Sequence, residues 1–206
     1  MERAKAPGTS LRIGNMMFHR FLLALSLCFS ANTHAETAVF AGGCFWCVEA
    51  LYQELDGVQD AVSGFTGGKL RNPTYRGNHR GHYEAVKVTY DPAIVSYEQL
   101  LDIFWVNIDP FDDRGQFCDK GPSYRSAIFF ANGTQEQQAI SSKANVESQF
   151  HSETIVTELL PALEFWPVEV DHQDYYLKNP IRYRLYRAGC GRDRRLSEIW
   201  GDKATH

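Results

Sequence analysis

The sequence predicts an α+β fold, a two-layer sandwich with helices against a mixed β-sheet. Three observations predict it. Short runs with the two-residue period of strands recur between residues 37 and 159, and runs of helical period lie among them. The two kinds do not alternate in the strict strand–helix–strand order of a parallel α/β fold. No repeat, linker or low-complexity break divides residues 36–206, so they form one domain.

Residues 37–41 alternate and run into Gly42-Gly43, a short buried strand meeting a turn. From Cys44 the period changes: Cys44, Val48, Leu51 and Leu55 fall at helical spacing, and Gly57 supplies a stop. Residues 58–65 read as a strand closing on Thr66-Gly67-Gly68. Residues 70–82 are polar and punctuated by Asn72-Pro73, Gly77 and Gly81, an irregular loop. Residues 84–90 alternate, with Val86 and Val88 on one face. Ser96 followed by Gln99 is a capping-box signature ahead of Leu100, Leu101, Phe104 and Trp105. Residues 109–123, rich in Asp, Gly and Pro, make a second long loop. A strand over 125–131, an amphipathic helix over 134–150, a strand over 153–159 and a short helix over 171–177 follow. The remainder is an Arg-rich tail.

Composition bounds the function. The hydrophobic set is 44% and charged residues 22%, which fits a packed domain and not a disordered chain. A net charge of −4 disfavours general binding to nucleic acid. Residues 21–31 are apolar, preceded by Arg12, His19 and Arg20 and followed by small residues up to Ala35. That is the grammar of a secretory signal peptide, residues 1–35, with Met16 or Met17 as a candidate true start. The run is shorter than the roughly 20 residues of a membrane span, so no stable membrane insertion is expected after cleavage. A retained anchor is the alternative. A lipoprotein site at Cys28 is disfavoured because Leu27 is too bulky. Export to the periplasm would place the remaining cysteines, Cys44, Cys47, Cys118 and Cys190, where disulfides persist.

Gly-Gly-Cys-Phe-Trp-Cys, residues 42–47, is the sharpest feature. A strand, two glycines and a helix start put Cys44 among unpaired backbone N–H groups, which favour thiolate over thiol. Phe45 and Trp46 can wall an apolar pocket, and Cys47 lies one helical turn on. A plain buried thiol is the bland alternative. A structural zinc site needs two further neighbouring ligands, yet Cys118 and Cys190 stand apart in sequence, so no metal is expected.

Gly43-Cys44-Phe45-Trp46 resembles the active-site motif of the A-type peptide methionine sulfoxide reductases. The likeness continues through Gly64-Phe65-Thr66-Gly67-Gly68, Asn72-Pro73-Thr74-Tyr75, Gly81-His82-Tyr83-Glu84-Ala85-Val86, Tyr124-Arg125-Ser126-Ala127 and Asp171-His172-Gln173. It implies reduction of methionine S-sulfoxide, free and in proteins, on a ferredoxin-like core. No bound cofactor is implied; a thioredoxin-like external dithiol would recycle the enzyme, acting on a monomer.

A sulfoxide sulfur is electrophilic, but its oxygen leaves only if protonated, so a thiolate needs an acid beside it. The resemblance assigns Cys44 as nucleophile and Glu84 as acid, which requires partial desolvation of Glu84. It assigns Tyr75 and Tyr124 as donors to the oxygen. Phe45 and Trp46 would grip the methyl group, and Asp119 would bind the methionine backbone nitrogen or orient Tyr124. His82 and His172 would fix loops by hydrogen bonds. Attack leaves Cys44 as a sulfenic acid that a second thiol must resolve. Where many relatives have glycine, this chain has Cys47, and its tail carries one cysteine. Cys190 ranks first as resolver because Gly189 and Gly191 make it mobile; Cys47 ranks second because a bridge inside a helical turn is strained; Cys118 ranks third. Its structural pairing with another cysteine is the alternative. The six arginines from Arg182 to Arg195 read as a solvated face, or as a docking patch. A general thiol–disulfide oxidoreductase and a non-catalytic binder of oxidised methionine are the competing functions.

Overall fold

The structure, a computed structural model, describes residues 34–204 together with residues 1, 2, 4 and 8, so the expected leader falls almost wholly outside the described residues. The folded unit is Thr33–His206. In chain order it comprises β1 (Glu36–Gly42), α1 (Phe45–Gln53), β2 (Val58–Thr66), β3 (Tyr83–Tyr90) and α2 (Tyr97–Trp105). A small hairpin, β4 (Gly115–Gln116) and β5 (Asp119–Lys120), precedes β6 (Ser126–Phe130) and α3 (Gly133–Glu147). The chain closes with β7 (Glu158–Pro161), β8 (Trp166–Pro167), α4 (Tyr175–Lys178), α5 (Pro180–Gly189) and α6 (Arg192–Trp200).

Six strands form one sheet in the order β7-β6-β1-β3-β2-β8. All neighbours are antiparallel except β6 and β7, which makes the sheet mixed as expected. α1 joins β1 to β2, and β3 inserts antiparallel between those two strands. With β6 on the outer side of β1, this is the ferredoxin-like arrangement.

Alternation along β1 sends Phe40 and Ala41 to opposite faces of the sheet. Phe40 joins Val86, Val88 and Ile128 in the main core, closed by Val48 and Tyr52 of α1 and by Leu100, Leu101 and Phe104 of α2. Its ring stacks on Tyr52 at 5.1 Å and on Phe104 at 5.3 Å. Truncation of such a ring to alanine costs about 3–5 kcal/mol. Ala41, Ala85, Ala127 and Phe129 make a thinner cluster on the other face. α2 begins where its sequence signature places it: Ser96 Oγ accepts from the Gln99 amide at 3.2 Å and Gln99 accepts from the Ser96 amide at 2.8 Å.

Four differences from the sequence reading affect the site. The loop over 109–123 contains the β4–β5 hairpin and a 3-10 turn, Pro122–Tyr124. The strand expected over 153–159 lies later, at Glu158–Pro161. β8 has only two residues, one of them proline, and no period to detect. The tail is two helices. Pro180 starts α5 in the first turn, where its missing N–H costs nothing, and Gly191, at φ +68, separates α5 from α6. Arg192 is not on a solvated face. It is buried, donates to the Asn107 carbonyl at 2.7 Å and the Gly42 carbonyl at 3.4 Å, and lies over the Phe117 ring at 4.5 Å.

Candidate active site

Cys44 is the N-cap of α1, with an extended ψ of 119°. The turn that delivers it depends on Gly43, at φ +85, a conformation side-chain-bearing residues rarely adopt. A Cβ there would stand 2.6 Å from the Cβ of Gln116. Gln116 cannot yield easily. It is buried, and its side chain accepts from the Asp109 amide at 2.8 Å and donates to the Asp109 carbonyl at 2.7 Å. The sheet core and the β4–β5 hairpin therefore hold the cysteine from both sides.

The first helical amide, Phe45 N–H, donates to Glu84 Oε2 at 3.2 Å. Glu84 extends from the start of β3 and is 1% exposed. Burial, with the charges of Asp119 and Cys47, pushes its carboxyl up to about 8 against hydrogen bonds from Phe45 N–H and the Tyr124 hydroxyl. Near neutral pH it is predominantly an acid with a proton to give.

Cys44 and Cys47 are both free and buried. Burial first, then the Cys47 sulfur and Glu84, push the Cys44 thiol up; a hydrogen bond with Tyr186 acts in the opposite sense. Cys47 is held down to about 6 by its hydrogen bond from Cys44 and by the charges of Arg192 and Arg187, against its own burial. Within this hydrogen-bonded pair, burial works against ionisation of Cys44, while the two arginine charges favour ionisation of Cys47. In a site 6% exposed, desolvation of Cys44 works against the partial charge of the helix end that favours its thiolate. Cys44 and Cys47 share the first turn, with the Cys47 amide donating to the Cys44 carbonyl at 3.1 Å.

Phe45 is fully buried, its ring 5.7 Å from Phe65 and 6.0 Å from Tyr75, so it forms the floor beneath Trp46. Trp46 stacks on Tyr175 at 3.8 Å and lies parallel to His172 at 5.6 Å. Tyr75 sits 3.9 Å from His172. A cavity of about 280 Å³ opens beside these rings, lined by Trp46, Tyr75, His172 and Tyr175 among others. Burial, with Glu84 next, pushes Tyr75 up to about 12 and Tyr124 higher still, so both hydroxyls are neutral donors.

His82 binds its loop as expected, by a ring nitrogen 2.8 Å from the Leu70 carbonyl and by the Gly68 amide at 3.3 Å. The Nδ1 of His172 has no hydrogen-bond partner and its Nε2 lies 3.9 Å from Asp171 Oδ2, while the ring packs parallel to Trp46.

The remaining cysteines pair with each other, Cys118 on the hairpin turn with Cys190 at the end of α5. With that bond closed, Cys190 is tied to the hairpin. Its amide bonds the Tyr186 carbonyl at 2.9 Å and its sulfur lies 3.9 Å from Asp119 Oδ2. Those two sulfurs and Asp119 lie within 4.8 Å of one another, but sulfurs bonded together lack the thiolate charge a metal requires. Asp119 accepts a hydrogen bond from the Tyr186 hydroxyl, and its charge also acts on Tyr124. Tyr183, Tyr186 and Arg187 of α5, all close to the thiol pair, went unrecognised in the sequence. The Tyr183–Tyr186 spacing on one helical face was the available signal, hidden among arginines.

A family model described as peptide methionine sulfoxide reductase matches residues 36–204. The chain is 51% identical over 176 residues to peptide methionine sulfoxide reductase MsrA 2 of Caulobacter vibrioides, covering 83% of this chain and 88% of that protein. It is 47% identical over 172 residues to MsrA of Bacillus subtilis, covering 82% and 97%. Methionine sulfoxide reductase A of Corynebacterium diphtheriae superposes with a TM-score of 0.67 at 34% identity, over 71% of this chain and 76% of that one. A cysteine at a helix end facing a protonated, buried carboxyl is the equipment such an activity demands, and the chain belongs to the peptide methionine sulfoxide reductase family, A type.

Proposed function

We propose that the chain reduces the S epimer of methionine sulfoxide, free and in oxidised proteins, by attack of Cys44, and so serves protein repair. The observation that carries this reading is Glu84, buried beside the Cys44 helix end and pushed up to about 8. The substrate methyl rests against Trp46 above the Phe45 floor, and its oxygen meets Glu84 and the hydroxyls of Tyr75 and Tyr124. Cys44 passes its proton to the Cys47 thiolate and attacks the sulfoxide sulfur. Glu84 protonates the oxygen, which transfers to Cys44. Methionine leaves with its sulfur reduced by two electrons, and Cys44 becomes a sulfenic acid. The Cys47 sulfur then forms the Cys44–Cys47 disulfide, and the hydroxyl departs with the Cys47 proton as water.

The outer pair drains this disulfide. Reduced Cys190 attacks it, Cys118 closes on Cys190, and both inner thiols are restored. An inner pair that is free beside an outer pair that is bonded corresponds to the end of that transfer. The exposed Cys118 side then suits reduction by a thioredoxin-like protein. We further propose that residues 1–35 direct export to the periplasm and that the mature chain acts as a monomer. The apolar run over 21–31 and the disulfide support the first of these.

The test is turnover with dithiothreitol and each sulfoxide epimer separately. Methionine from the S epimer alone is expected; equal turnover of both, or none, overturns the reading. A general disulfide oxidoreductase would instead keep its exchange activity in Glu84→Gln.

A further inference from the structure

The cavity beside the Trp46 ring carries charge that the reaction itself does not use. Its volume is about 280 Å³, and it shares Trp46 and Tyr75 with the place proposed for the sulfoxide. His172 and Tyr175 continue the aromatic lining, and two arginines complete it, Arg76 from the loop before β3 and Arg182 from α5. Both are exposed, and among the described residues neither side chain forms an ion pair or a hydrogen bond. The opposing charge in the lining is Asp171, whose carboxylate lies 3.9 Å from His172 Nε2. Glu169 accepts from the Tyr75 amide at 3.2 Å, tying the Arg76 loop to the turn that carries His172. Two further atoms of lining residues, Trp46 Nε1 and His172 Nδ1, are buried without a hydrogen-bond partner. An indole N–H can only donate, so what it lacks is an acceptor.

We propose that this cavity is a second subsite, in which Arg76 and Arg182 bind a carboxylate of the substrate. The carboxylate is either an acidic side chain next to the oxidised methionine or the C-terminus of the free amino acid. The proposal rests on the sulfoxide lying against Trp46 and Tyr75, and so on the function proposed above. Each guanidinium is a planar fork of N–H donors that matches the two oxygens of a carboxylate. The two arginines reach one cavity from different elements, a loop and a helix, and only Asp171 opposes them in the lining. A net positive charge is left for an incoming anion. The methyl pocket would select the sulfoxide by shape, and this subsite would select the sequence around it by charge.

Such a subsite acts on binding and not on the chemical step, because the carboxylate keeps its charge from ground state to transition state. Uniform binding of this kind lowers KM and leaves kcat in place. Both arginines are exposed, so dissolved salt screens them. Arg182 thereby differs from Arg192 of the same arginine-rich tail, which is buried and spends its donors on backbone carbonyls.

The experiment measures kcat and KM of the full chain, with dithiothreitol as reductant, on two pairs of substrates. One pair is end-capped tripeptides with methionine S-sulfoxide between two glutamates or between two glutamines. The other is methionine S-sulfoxide with a free or an amidated C-terminus. At least one pair should favour its carboxylate member by about two- to fivefold in kcat/KM, the scale of an exposed ion pair, with the difference in KM. The pair that responds identifies the source of the carboxylate. The preference should shrink as salt is added, and fall to about one in the double variant Arg76→Gln, Arg182→Gln. No preference in either pair overturns the proposal. So does a preference that survives in the double variant, because the charge is then read elsewhere. Should the double variant fail to fold, the salt series on wild type decides: a preference that salt leaves unchanged overturns the proposal. Turnover without preference confines the failure to this subsite, whereas no turnover of any substrate overturns the reading of Cys44 and this proposal with it.

Discussion

The amide of Phe45 and the carboxyl of Glu84, 39 residues apart, meet at 3.2 Å. The peptide unit following the nucleophile therefore holds the acid in place, and thiol and proton donor share one anchor. Glu84→Gln keeps an acceptor for that amide but has no acidic proton. The reductive step is expected to fall by about 10²–10⁴ in single-turnover methionine release. In wild type the same step needs the protonated carboxyl, which is raised to about 8. The Glu84 contribution should be complete below that pH and decline above it, and Glu84→Gln should lack that limb. A wild-type rate in the variant contradicts the assignment.

The two cysteine pairs predict a division of labour. Cys190→Ser and Cys118→Ser should each release methionine in a first turnover at near wild-type rate and then stall with a thioredoxin-like protein as reductant. Cys47→Ser should accumulate the Cys44 sulfenic acid, visible by mass spectrometry after trapping with dimedone. Sustained recycling of Cys190→Ser by the protein reductant would show that the outer pair is not the exit.

Arg192 connects stability to thiol chemistry. Its guanidinium satisfies the Asn107 and Gly42 carbonyls from a buried position and lowers Cys47 by its charge. Arg192→Met fills much of the space but leaves both carbonyls without that donor. A loss of about 2–4 kcal/mol in denaturant unfolding is expected, together with an upward shift in Cys47 titration followed by thiolate absorbance. Stability loss without a change in Cys47 would confine the residue to a structural role.

Glu49, fully buried on α1, accepts from the Asp174 amide at 3.1 Å and is pushed by burial from 4.5 up to about 7. Between those values the folded chain binds more protons than the unfolded one, so stability falls as pH rises through the window. Glu49→Gln should remove that slope, of order 2–3 kcal/mol across it, in thermal unfolding at a series of pH values. An unchanged slope would locate the pH dependence elsewhere, Glu84 being the next group.

Much of this was legible in the sequence because local chemistry carried it. Gly43 needs a conformation that side chains resist, Ser96 and Gln99 cap a helix, and the alternating Val86 and Val88 fix the strand after Glu84. The likeness of spaced motifs supplied Glu84, Tyr75 and Tyr124, and the fold brings all three around Cys44. What stayed hidden depended on long-range assembly. Arginine is common on solvated faces, and nothing local marks Arg192 as buried. Cys118 and Cys190 are 72 residues apart, and only the meeting of the hairpin with α5 makes them partners. The helix end at Cys44 is visible in sequence, while the depth of burial that works against its thiolate is not.

The Cys118–Cys190 bond ties the hairpin to the C-terminal helices across a separation of 72 residues. By loop-closure entropy such a tie contributes about 4 kcal/mol against unfolding. If each recycling event cuts it and each sulfoxide restores it, turnover is also a mechanical cycle. A cell short of reductant would accumulate the fastened form, idle but hard to unfold and to digest. A cell with ample reductant would keep the looser, working form, and the enzyme's lifetime would follow the supply of electrons.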